Sequence, residues 1–239
     1  MQERQDARQK TEWLDKKLEK KMVRLENEPL LLSVFRGGEG IEQEDERECR
    51  FKEAPNHKLS SKELAKYRSR EIKQTYVRAV DKNGKTHDFR LRWTLQYEAD
   101  GPSIMIGIDY KSDIPSEEAL GRKERQLYFR LDDPRAKDWY RLWGQSTEGW
   151  NDVRKTRYFI PYTATNKSEP RIHYDVFHDE LEGLRRFEVE FDNDSDAKFF
   201  KLARKRDPSL NFLGDDVTKD KRYGGKRLAR YGIPKEDKE

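Results

Sequence analysis

The sequence predicts an α+β protein in which antiparallel strands dominate. Three features carry that reading. From Glu42 onward, apolar and charged residues alternate with a period of two in segment after segment. The helical patterns are short and do not alternate regularly with strands, as they would in a parallel sheet. The 11 Phe, 11 Tyr and 5 Trp supply core rings to a chain that is 41% charged and 33% hydrophobic, which argues against full disorder.

In chain order, residues from about Asp6 to Asn27 read as a helix, with Leu14, Leu18, Met22 and Leu25 at helical spacing. Pro29 is expected to end it, and Gly37-Gly38-Glu39-Gly40 to form a flexible break. Residues 1–40 are thus an N-terminal helical extension with its linker, and residues 41–239 the body. Within the body, Glu71–Val80 and Thr86–Tyr97 make a hairpin around the turn Asp81-Lys82-Asn83-Gly84. Further strands are expected at Ser103–Lys111, Arg125–Leu131, Arg154–Tyr162, Arg171–Phe177 and Phe187–Phe191. Ser60-Ser61-Lys62-Glu63 is a capping box that opens a short helix. Asp133-Pro134 opens a second, with Pro134 at its first position, and Asp194 or Ser195 caps a third. A last helix is expected near Lys226–Tyr231.

Bulk properties narrow the function classes. The 51 basic and 47 acidic residues leave a net charge of only +4, less lopsided than a general nucleic-acid binder, so no nucleic-acid partner is expected. The single cysteine, Cys49, allows no internal disulfide and no zinc pattern, and reads as a buried thiol. No apolar run approaches membrane-spanning length and the N-terminus is charged rather than signal-like, which suggests a cytoplasmic setting without a membrane partner.

The strands share one peculiarity. In Arg186-Phe187-Glu188-Val189-Glu190-Phe191 the three apolar residues face one way, and Glu188 and Glu190 face the other, about 6.6 Å apart at two residues of rise. Arg90 and Arg92 oppose Phe89, Leu91 and Trp93; Lys155 pairs with Arg157 and His173 with Asp175; Glu46, Glu48 and Arg50 alternate. A sheet with one solvated face gives this pattern. So does a barrel whose apolar faces turn outward under helices and whose polar faces line a tunnel. Periodicity admits both. In a tunnel, acidic pairs would suit hard divalent cations, and arginine and lysine sets would suit phosphoryl oxygens.

The ordered series of segments resembles the CYTH superfamily of triphosphate tunnel metalloenzymes over roughly Glu44 to Tyr231. Glu46-Arg47-Glu48-Cys49-Arg50 is similar to its opening Glu-x-Glu-x-Lys strand, with arginine in place of lysine. Gln74 and Tyr76 resemble the Gln and Tyr of its second strand. Arg90-Leu91-Arg92, Arg122-Lys123-Glu124 and Lys155-Thr156-Arg157 resemble its Arg-x-Arg, Arg-x-Glu and Lys-x-Arg elements. Asp175 and Glu188-Val189-Glu190 resemble its late acidic elements, and Leu213-Gly214-Asp215-Asp216-Val217-Thr218 its C-terminal signature.

The resemblance implies an eight-stranded antiparallel β tunnel, a closed barrel with flanking helices, that binds a triphosphate and acts on it with Mg²⁺ or Mn²⁺. By matching position, Glu46, Glu48, Asp175, Glu188 and Glu190 would hold the metal. Arg90, Arg92, Lys111, Lys155 and Arg157 would grip phosphates, although Asp109 beside Lys111 is unusual. Tyr76, Arg50 and Glu124 would serve the chemistry: Tyr76 assists the attacking water and Glu124 orients a cation or water. Arg50 clamps phosphate, because arginine stays protonated and is a poor proton shuttle. The implied activity is hydrolysis of inorganic triphosphate or a small organic triphosphate. The alternatives are a class IV adenylate cyclase making cyclic AMP from ATP, and a non-catalytic polyphosphate or nucleotide binder. The N-terminal helix would be available for homodimerisation or partner docking.

Overall fold

In the computed structural model, which describes residues 23–98, 101–114, 116–117, 119–146, 149–162 and 171–235, the alternating segments form ten strands. These are β1 (Val23–Arg24), β2 (Glu42–Glu53), β3 (Ser69–Val80), β4 (Thr86–Glu98), β5 (Gly101–Asp113), β6 (Leu120–Arg130), β7 (Val153–Ile160), β8 (Arg171–Phe177), β9 (Arg185–Phe191) and β10 (Leu213–Asp216). Eight of them follow one another as β3-β4-β5-β6-β2-β9-β8-β7, every neighbour antiparallel, and β7 pairs back onto β3. The sheet is therefore a closed barrel, and closure removes the exposed edges an open sheet would present. β1 runs parallel to the end of β3, with Val23 opposite Ala79, and β10 adds to β2.

Closure settles which side of each strand holds the core. Among the described residues, five helices flank the barrel: α1 (Pro29–Arg36), α2 (Ser61–Leu64), α3 (Ala136–Trp143), α4 (Asp194–Arg204) and α5 (Gly225–Tyr231). One apolar cluster joins α1 and α3 to Val77, Phe89, Leu91, Ile106 and Ile108. A second joins α4 to Cys49, Phe51, Phe187 and Val189. A third lies on the inward side at one end of the barrel, where Tyr76, Val153 and Phe177 meet Tyr223 and, from α5, Leu228. Each such side chain stabilises the wall by about 1.5–3 kcal/mol relative to exposure. Thus Phe187, Val189 and Phe191 face a core outside the barrel, and Glu188 and Glu190 face inward.

Several local expectations change. Most of the helix expected from Asp6 lies outside the described residues; its end, Val23–Arg24, is strand, followed by a 3₁₀ turn at Leu25–Asn27. Pro29 does not stop a helix but occupies the first turn of α1, where its missing N–H is no loss. Arg141 of α3 anchors that start by pairing with Glu28. α3 begins two residues beyond Pro134, and the cap of α4 is Asn193, whose side chain accepts from Asp196 N. The capping box at Ser60 and Glu63 is formed as expected. Among the described residues, no helix is long and apolar enough to cross a membrane.

Candidate active site in the tunnel

The barrel encloses a cavity of about 850 Å³. Its lining includes Glu46, Glu48 and Arg50 of β2, Tyr76 of β3, Arg90 and Arg92 of β4, Lys111 of β5 and Glu124 of β6. Lys155 and Arg157 of β7 and Glu188 and Glu190 of β9 complete the expected set, apart from Asp175. Register explains the convergence: Arg50 stands opposite Glu188, Glu48 opposite Glu190, Arg90 opposite Asp109, Lys111 opposite Glu124 and Arg157 opposite Asp175. Cross-strand partners on one face lie close enough to pair directly.

On one wall, Arg90 donates to Asp109 at 2.7 Å and to Glu124 at 2.8 Å. Lys111 reaches Glu46 and Glu124, each at 2.5 Å. Arg92 lies 3.4 Å from Asp109, which also accepts from the Tyr128 hydroxyl at 2.7 Å. Burial pushes the Asp109 carboxyl up, but Arg90 and Arg92 outweigh it and hold it at about 2. Glu124 goes the other way: burial raises its pKa more than Lys111 and Arg90 lower it.

On the opposite wall, Asp175 is fully buried. It is gripped by Lys155 at 2.5 Å, by Arg157 at 2.7 and 2.9 Å, and by Arg186 at 3.4 Å. Burial would raise its pKa, yet Arg157 and Lys155 hold it at about 2. Arg157 and Arg186 both pair with Glu188. Burial and the neighbouring Arg157 lower Lys155 to about 8 despite its carboxylate partners. Glu190 is met by His173 and Arg171, each at 3.3 Å. Glu48 pairs with Arg50 and lies 3.6 Å from Arg122.

One end of the tunnel is covered by the C-terminal segment. Arg186 donates to the Tyr223 carbonyl, and the Arg50 backbone N–H donates to the Thr218 hydroxyl at 3.0 Å. Lys226 bonds Asp88 at 2.8 Å. Gly225 sits so close to the wall that a Cβ there would meet the Tyr76 hydroxyl oxygen at 2.7 Å, so only glycine lets α5 approach. Tyr76 also receives a bond from Gln74 at 3.3 Å, and burial raises its pKa, so its phenol is a neutral hydroxyl.

A closed antiparallel ring of eight strands, with the matched motifs turned inward, is what the family resemblance implied. The chain folds as a closed eight-stranded antiparallel tunnel. Among solved structures, the inorganic triphosphatase NE1496 is 24% identical over 79% of this chain and 97% of its own, with a TM-score of 0.43. PH1819 from Pyrococcus horikoshii OT3 is 15% identical over 72% and 92%, with a TM-score of 0.44. HpAC1 from Hippeastrum, described as a candidate adenylyl cyclase with a dominant triphosphatase activity, is 13% identical over 74% and 95%, with a TM-score of 0.42. No protein-family model and no curated protein sequence matches the chain.

Motif matching missed several residues of this tunnel. Asp109 and Arg186 are central to the two walls, and Arg70 also lines the cavity. Arg186 occupies the same alternating face as Glu188 and Glu190, a signal that the strand pattern contained. Among the described residues, no three acid, histidine or cysteine side chains converge as a metal-binding group, because each acid is drawn to a base. The donor chemistry nonetheless suits a hard divalent cation: Glu46, Glu48, Glu188 and Glu190 offer carboxylate oxygens from adjacent strands. Asp175 differs, since both its oxygens are committed to Lys155 and Arg157.

Proposed function

We propose that the tunnel binds a triphosphate and hydrolyses a terminal phosphoanhydride bond, with Mg²⁺ or Mn²⁺ as its cofactor. The observation that carries the reading is the enclosure of Arg90, Arg92, Lys155 and Arg157 in one cavity with an acidic set facing them. That many cations in a confined space suit a polyanion, and guanidinium forks match phosphoryl oxygens. Arg92 adds a specific mark: its Nε is buried with no hydrogen-bond acceptor, a donor that a phosphoryl oxygen would satisfy.

In this reading Arg90, Arg92, Lys155 and Arg157 hold the phosphate chain, with Lys111 and Arg50 beside them. Glu46, Glu48, Glu188 and Glu190 would hold the cation, and Asp175 fixes Lys155 and Arg157 in place. A bound divalent cation would neutralise charge on the phosphoryl oxygens. Glu124 orients and can deprotonate a water, because its pKa is raised. Tyr76, neutral at physiological pH, donates a hydrogen bond rather than acting as a base. Arg50 remains charged against Glu48 and clamps phosphate without moving a proton. Release of inorganic phosphate from triphosphate, measured with and without the cation, tests the proposal; release from ATP and cyclic AMP formation are measured in parallel to separate the hydrolase from the cyclase.

A further inference from the structure

Every cation in the tunnel wall discussed so far has a carboxylate partner. Arg70 has none among the described residues. It stands near the start of β3, lines the cavity, and registers directly opposite Arg157. Tyr76, at the capped end, is six residues further along the same strand, about 20 Å away at extended rise. Arg70 therefore marks the mouth opposite the C-terminal cover.

Its surroundings are cationic. Burial and then Arg68, Arg92 and Arg157 all disfavour its charge. What holds the side chain is an aromatic face: the guanidinium carbons of Arg68 and Arg70 lie 4.6 and 5.0 Å from the Phe159 ring centroid. Phe159 is itself fixed by an edge contact with His173, with ring centroids 5.1 Å apart at 81°. A half-buried arginine supported by a ring and facing other arginines is unfavourable unless an anion joins it. Deeper in the tunnel, Arg90, Arg92, Lys155 and Arg157 are the residues the proposed reading assigns to a triphosphate. Two guanidinia already sit over the Phe159 ring, which leaves it poorly placed to receive a nucleobase.

We infer that Arg70, carried by Phe159, is a specificity-determining residue that receives an additional phosphoryl group, so that the tunnel favours linear phosphate chains of four or more phosphates over triphosphate. The inference rests on the phosphate-binding reading of the same tunnel and extends it toward one mouth.

Calorimetric binding of inorganic triphosphate, linear tetraphosphate and ATP, each with Mg²⁺, tests it in the full-length protein and in Arg70→Gln and Arg70→Lys. The wild type is expected to bind tetraphosphate about tenfold more tightly than triphosphate, the scale of one charge-assisted hydrogen bond. Arg70→Gln should bring that ratio close to one, and Arg70→Lys should keep the larger part of it. Circular dichroism checks that both variants fold. A ratio unchanged in Arg70→Gln would overturn the role of Arg70 while leaving the triphosphate reading in place. A selective loss of ATP affinity in Arg70→Gln would make the mouth a base platform and also overturn it. A wild type that binds none of the three would overturn the phosphate reading and this inference together.

Discussion

Asp175→Asn gives the most quantitative test of how the tunnel is held together. The substitution keeps the shape and removes one charge from a fully buried carboxylate that serves Lys155, Arg157 and Arg186. Two estimates bracket the loss. The shift from the ordinary 3.8 to about 2 corresponds to roughly 2 kcal/mol. Removing one partner of a buried ion pair costs about 3–5 kcal/mol. A loss of roughly 3 kcal/mol lowers Tm by about 6–12 °C in a protein of this size. The sign of the pH dependence follows. Between pH 2 and 3.8 the unfolded chain binds more protons than the folded one, so the contribution of Asp175 is complete above 3.8 and disappears as pH falls through about 2. Differential scanning fluorimetry of wild type and variant at pH 7 and pH 3 should show the gap narrowing by about half at the lower pH. Added triphosphate should restore part of the loss at pH 7, because phosphoryl oxygens replace the missing charge. A Tm difference under about 2 °C at pH 7 would refute the view that Asp175 is the counter-ion that allows three buried cations to coexist.

Two further substitutions probe the chemistry. The Glu188→Gln, Glu190→Gln double variant should fold, lose nearly all turnover and lose its metal dependence; normal activity would return both residues to a role outside the site. Arg50→Lys should retain or raise the rate if Arg50 only clamps phosphate, so a large fall in kcat with the fold intact would show that the Glu48 pairing depends on the guanidinium geometry.

The strands and their inward charges were legible because alternation is a local property. Glu188 and Glu190 could be assigned to one face from six residues of sequence, and the hairpin turn at Gly84, with a positive φ of 78°, was marked by its Asn-Gly pair. Closure was not legible from period, since a solvated sheet and a tunnel share the pattern; the β7–β3 pairing that decides it joins residues about eighty positions apart. Pro29 is ambiguous in sequence because proline suits both the residue after a helix and the first turn of one, and here it takes the first turn. Asp109 was visible as an oddity, but its meaning as the counter-ion of Arg90 and Arg92 exists only in the register of β4 and β5. The metal-ligand expectation came from motif order. The folded chain also pairs each of those acids with a base, which sequence spacing does not reveal.

The central claim is that this charged tunnel hydrolyses a triphosphate with a divalent cation. Its most direct test is phosphate release from inorganic triphosphate by the full-length protein, titrated with Mg²⁺ or Mn²⁺ and then with excess chelator. The account predicts turnover that rises with the cation and vanishes on chelation. Turnover unaffected by chelator, or no phosphate release at any cation concentration from a protein that is folded, would contradict it.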